Sequence, residues 1–268
     1  MTSIKYDSFY RYDDLTELLH DFATEYPNLI TLESIGKSYQ GRDIWVATLT
    51  NADTGKADEK PAVWVDGNIH SVEVTASHSC LHFIQTLVNG YENDERITHA
   101  LNTRAFYICP RINPDGAEAA LSDNPKRVRS SMRPYPHDDE PISGLEQDDI
   151  DGDGRVLYMR IKDPSGPWKP HPDAPALLVP RAPDDYKGTF YHLYKEGQSF
   201  ETDNAMLKSG RPKEGLDLNR NFPANFEPEG AQMGAGPAPF SEPETRAVGD
   251  FFLTHKNIFI AIAGHTFS

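Results

Sequence analysis

Apolar residues at Leu15, Leu18, Leu19 and Phe22 recur at helical spacing, predicting an amphipathic helix over residues 12–28 that Pro27 ends. Residues 29–35 and 43–49 alternate β-branched or aromatic positions with polar ones around a turn-like 36–41, as a hairpin does. Two continuous apolar runs, 61–65 and 105–112, have the character of fully buried strands. Between them Val74, Ser77, Leu81, Ile84 and Val88 trace one face of a helix that Gly90 stops. Strand, helix and strand in that order imply an α/β layer architecture with a largely buried sheet. Near the C-terminal end, Ser241-Glu-Pro-Glu244 has the spacing of a capping box. Ala247, Val248, Phe251 and Phe252 form the inward face of the helix that follows, and residues 258–263 read as a buried strand ending at Gly264 and His265.

The composition changes at Pro134. Ten of the 21 prolines lie between Pro134 and Pro183, and eight acidic residues with no basic ones lie between 138 and 154. Proline removes a backbone donor and fixes φ, so no long helix fits there. Residues 134–214 are expected to be an insertion of loops and short strands within a single domain. No internal repeat is visible. The 268 residues are 38% hydrophobic and carry a formal net charge of −15, which describes a globular protein that repels nucleic acid and anionic membranes. Cys80 and Cys109 form no CxxC and predict buried thiols. No basic-then-apolar leader opens the sequence, which makes a cytoplasmic location the default expectation.

Candidate chemistry begins with Asp66-Gly-Asn-Ile-His70-Ser-Val-Glu73, at a strand-to-helix junction. An imidazole and a carboxylate three positions apart there can face one ion, in keeping with zinc's preference for nitrogen and oxygen ligands. The alternative is a helix-capping Glu73 beside a polar His70, so a third ligand decides. His265, at a strand's C-terminal end, is the candidate. His78 and His82 are four apart on a helix but face away from its apolar stripe with no carboxylate, and read as solvated. Asn219 and Arg220 offer an amide and a guanidinium fork suited to a carboxylate, or else make a surface turn. Asn113-Pro-Asp-Gly116 reads as a strand-ending turn, with Arg127, Arg129 and Arg133 after it.

Together these segments resemble the zinc carboxypeptidases of the carboxypeptidase A type. The resemblance runs through DLTELL at Asp14, IGKSYQGRDI at Ile35, GNIHSVE, NPDG, DLNRNF, FSEPET and GHTFS in order, over residues 10–133 and 215–268. It implies a mixed sheet flanked by helices, with His70, Glu73 and His265 as Zn2+ ligands. Asn219 and Arg220 would anchor the C-terminal carboxylate of a peptide or protein substrate, and Arg129 would stabilise the oxyanion, with Arg127 and Arg133 as its rivals. The family's general-base glutamate, closing tyrosine and pocket-floor residue would lie beyond Ser268. The resemblance therefore implies the N-terminal portion of a catalytic domain, one that binds zinc and turns over little as this chain alone. A strand at 258–263 with an unpaired edge is then expected to promote association.

In the insertion, Asp149, Asp151 and Asp153 with Gly154 match the start of an EF-hand-like loop, but Arg160 stands where a bidentate carboxylate belongs. Calcium binding, helped by Asp148 or Asp163, and a solvated acidic turn are the two readings. The DxDxDG and its Pro-rich flank resemble an insertion in a bacterial branch of the family. Two further functional readings stay open: an N-acyl amino acid deacylase, and a non-catalytic zinc- and peptide-binding module.

Overall fold

The computed structural model describes residues 2–266 apart from 124, 126–127, 137–143 and 201–212. In chain order the helices are α1 (Tyr12–Glu25), α2 (Val74–Gly90), α3 (Glu95–Thr103), α4 (Pro114–Ala120) and α5 (Pro243–Thr254). The strands are β1 (Ile30–Lys37), β2 (Asp43–Leu49), β3 (Ala62–Gly67), β4 (Ala105–Cys109), β5 (Gly144–Gln147), β6 (Tyr158–Lys162), β7 (Trp168–Pro170), β8 (Leu178–Pro180), β9 (Tyr191–Lys195), β10 (Gly197–Phe200) and β11 (Ile258–Gly264). The chain forms two compact units, residues 1–138 with 213–268, and residues 139–212.

The first unit holds a mixed sheet in the order β1-β2-β4-β3-β11. The β1–β2 and β2–β4 pairs are antiparallel, and β3 is parallel to both β4 and β11. Side chains alternate between its faces, as a period of two requires. Ala47, Leu49 and Ile108 join Leu15 and Leu19 of α1 and Leu81 and Ile84 of α2 in one apolar cluster. Ile44, Val46, Trp64 and Tyr107 join Ala247, Val248 and Phe251 of α5 in the other. Cys80 and Cys109 are buried free thiols. Among the described residues no helix is long and apolar enough to cross a membrane.

Three elements depart from the sequence reading. The capping box does not form: Glu242 is the N-cap of α5 and no side chain caps it, because the Glu244 carboxylate accepts from the Tyr39 amide instead. Strand β11 pairs but is not buried, since among the described residues it bonds only to β3, and Phe259, Ile260 and Ile262 stay exposed. NPDG opens a helix, α4, whose first free amides include that of Gly116, taken up by Asn113 Oδ1.

The second unit contains the β5–β10 pair and a four-stranded sheet ordered β6-β9-β7-β8. Glu196, between β9 and β10, is buried and accepts from the amides of Ile150, Asp151 and Leu157, which ties the acidic loop to the strands.

Candidate metal centre

Parallel pairing sets Gly264 of β11 opposite Gly67 of β3, so the segments leaving the two strands emerge side by side. Gly67 is required by close approach: a Cβ there would come within 2.8 Å of the Ala76 backbone in α2. The chain then turns at Asn68, whose φ of 58° suits asparagine, and the Asn68 amide donates to the carbonyls of His70 and Ser71. This presents His70 beside the N-terminus of α2. Glu73 is the N-cap residue of α2 but makes no side-chain cap. Its carboxylate faces two imidazoles, with Oε1 2.9 Å from His70 Nδ1 and Oε2 2.9 Å from His265 Nδ1.

The two rings lie 4.9 Å apart, and one donor atom from each of His70, Glu73 and His265 falls within 4.8 Å of the others. His70 and Glu73 are buried while His265 is partly exposed, which leaves an approach from solvent. Two nitrogens and a carboxylate converging on one point fit a Zn2+ ion. Burial alone would raise the Glu73 carboxyl, but the hydrogen bond from His265, the His70 ring and the Thr266 amide outweigh it and hold it below its ordinary range.

Behind His70 stands Asp217, which opens the DLNRNF motif but has no role assigned from sequence. Its Oδ1 lies 3.2 Å from His70 Nε2, and its Oδ2 accepts from Arg129 Nε at 2.9 Å. Burial pushes this carboxyl up, and His70 and Arg129 together overcome that and bring it down to about 2. Orientation of a ligand histidine through its second nitrogen is a common feature of zinc sites. The Arg129 side chain remains half exposed. Arg133 is committed to Glu242 through bonds of 2.8 and 2.6 Å, and Arg127 lies outside the described residues. Asn219 and Arg220 follow Asp217 after Leu218, are exposed, and belong to a single 3-10 turn that the Asp217 carboxylate caps through the Asn219 amide.

His78 and His82 are not at the site. His78 packs against Phe9 and Tyr10, and His82 Nδ1 pairs with the Tyr6 hydroxyl. In the second unit Asp149, Asp151 and Asp153 do gather. Their carboxylates, however, accept from the amides of Gly152, Asp153, Gly154 and Arg155, the bonding of a tight polar turn. Arg160 lies in β6 opposite Leu193, Asp148 accepts from Gln198, and Asp163 is engaged by Ser165.

The family model of zinc carboxypeptidases matches residues 15–146 and 182–268, and the chain belongs to this family. A zinc carboxypeptidase of Saccharothrix mutabilis subsp. capreolus is 35% identical over 114 residues, covering 42% of this chain and 26% of that protein. Carboxypeptidase B of Astacus astacus is 33% identical over 183 residues, covering 68% of this chain and 51% of its own. The crystal structure of carboxypeptidase A from Helicoverpa armigera superposes on all of this chain and 48% of its own, with a TM-score of 0.60 at 21% identity, which supports the same fold. The chain thus spans about half or less of the length of these relatives.

Proposed function

We propose that this chain carries the zinc centre and the substrate-carboxylate anchor of a metallocarboxypeptidase, with His70, Glu73 and His265 as ligands. The observation that carries the reading is the Glu73 carboxylate set between two imidazole Nδ1 atoms, one on each oxygen. The chemistry zinc supplies when bound is Lewis-acid polarisation of a carbonyl and acidification of water. Arg220 and Asn219 grip the free carboxylate of a peptide C-terminus, a planar fork on a planar anion. Arg129, held at Nε by Asp217, turns its remaining N–H groups toward charge developing on the scissile carbonyl oxygen, where a preorganised cation is typically worth about 3 kcal/mol. The 268-residue chain is expected to bind zinc and substrate analogues.

The test is metal stoichiometry and peptide binding on the purified chain. One Zn2+ per chain is expected, lost in His70→Ala. The zinc-loaded protein should bind a peptide with a free C-terminal carboxylate roughly 10 to 100 times more tightly than its amide, from the worth of a charged hydrogen-bond pair. Arg220→Ala should erase that difference. Full zinc retention by His70→Ala sinks the ligand assignment.

A further inference from the structure

Three segments far apart in sequence carry the groups of the site: residues 69–71 with His70, residues 128–131 with Arg129, and residues 217–220 with Asp217. One buried hydroxyl touches two of them and belongs to the third. Ser130 Oγ donates to the Ile69 carbonyl at 2.6 Å and accepts from the Leu218 amide at 3.2 Å. The Ser130 carbonyl accepts from Asn113 Nδ2 at 2.7 Å, and the carbonyl of Arg129 accepts from the Ser71 amide at 3.3 Å. Ser71 Oγ in turn donates to the Val128 carbonyl. Ile69 adjoins His70 and Leu218 adjoins Asp217. The bond between His70 Nε2 and Asp217 closes the ring that Ser130 opens.

We propose that Ser130 is a positioning residue: its hydroxyl fixes Asp217 and Arg129 relative to the His70 imidazole. Its meaning for catalysis rests on the metallocarboxypeptidase reading, whereas the ring itself involves only atoms of this chain. The Ile69 carbonyl has a second donor in Asn113 Nδ2, at 3.3 Å. For the buried Leu218 amide the hydroxyl is the acceptor. Without it that amide is left unsatisfied, and buried unpaired donors drive local rearrangement. Residues 217–218 then shift, and the Asp217 carboxylate leaves the line of His70 Nε2. A serine that merely filled space would lower stability and leave the imidazole as it was.

The experiment uses the metal-free 268-residue chain first. In wild-type protein the proton on His70 Nε2, held against Asp217 in a buried site, should give a slowly exchanging 15N-resolved NMR signal that Asp217→Asn removes. Ser130→Ala and Ser130→Cys should lose it, and Ser130→Thr, which keeps a hydroxyl, should retain it. The cysteine variant exchanges only the oxygen for a sulfur that is a poor acceptor, so it decides the matter with the threonine variant if the alanine protein fails to fold. The second readout is Zn2+ affinity by competition with a chelating dye. Loss of outer-shell support typically costs about 10 to 100-fold, and that drop is expected for alanine and cysteine with recovery in threonine. A wild-type chain with no protected proton, or cysteine and alanine variants that keep both the signal and the affinity while losing only thermal stability, would overturn the proposal. Failure of wild-type protein to bind zinc removes the metal reading alone, because the exchange signal still judges Ser130.

Discussion

Asp217 faces His70 with one oxygen and Arg129 with the other, so its charge state and its direction are set together. With its carboxyl brought down to about 2 from an ordinary 3.8, it adds stability above the unfolded value and loses that contribution as pH falls through about 2. Urea unfolding of the metal-free chain should therefore show a steeper loss between about pH 4 and 2 in wild type than in Asp217→Asn. The same substitution should weaken Zn2+ binding about 10 to 100-fold. An unchanged acid slope would mean that the ion pair forms equally in the unfolded chain. The grouping of His70, Glu73 and His265 was legible because two of them lie at a strand-to-helix junction and the third follows a predicted strand, places that sequence marks. Asp217 was not, because its partner lies 147 residues away and nothing local separates an aspartate that orients a histidine from one that caps a turn. It also does the latter, for Asn219.

Periodicity revealed α1, α2, the β1–β2 hairpin and the β3 and β4 strands, because their buried faces are long enough to repeat. The start of α4 is a local cap, Asn113 Oδ1 on the Gly116 amide, whereas that of α5 depends on which distant group a side chain prefers. At α5, proline at the first position supplies no amide, and Glu244 reaches away to the turn between β1 and β2. There Asp115 accepts from Ser38, Gln40 and Arg42, and Glu242 pairs with Arg133, so two guanidinium groups serve two of three buried carboxyls. Glu244 is the one without a cation, and its Oε2 has no partner among the described residues. Burial, reinforced by Asp115 and Glu242, pushes it up to about 7 from 4.5. Here the sign is opposite to that of Asp217: the folded state holds a proton that the unfolded state releases, so stability falls as pH rises from about 4.5 through about 7. Glu244→Gln should flatten the unfolding free energy across this window and exceed wild type at pH 8, by on the order of 2 kcal/mol. Parallel pH profiles for the two proteins would show that Glu244 ionises freely in the fold.

At the scale of the molecule two opposed terms meet on β11. Its outer edge has no partner strand among the described residues, and Phe259, Ile260 and Ile262 are 57%, 46% and 53% exposed, a combination that templates strand addition by another copy. The net charge of −15 opposes such encounters through a repulsion that reaches about 10 Å at 0.1 M salt and about 3 Å at 1 M. Association of the 268-residue chain should thus rise with both protein concentration and salt, the reverse of what an ion-paired interface does. Sedimentation velocity at low and high salt measures this directly. Replacing Ile262 with Lys places a charge on the edge that a second strand would have to bury, and should return the chain to a monomer at concentrations where wild type associates. The substitution lies three residues from His265, so zinc stoichiometry serves as the check that the centre is intact. A wild-type chain that stays monomeric at high salt, or an Ile262→Lys variant that associates as readily, would place the driving surface elsewhere on the molecule.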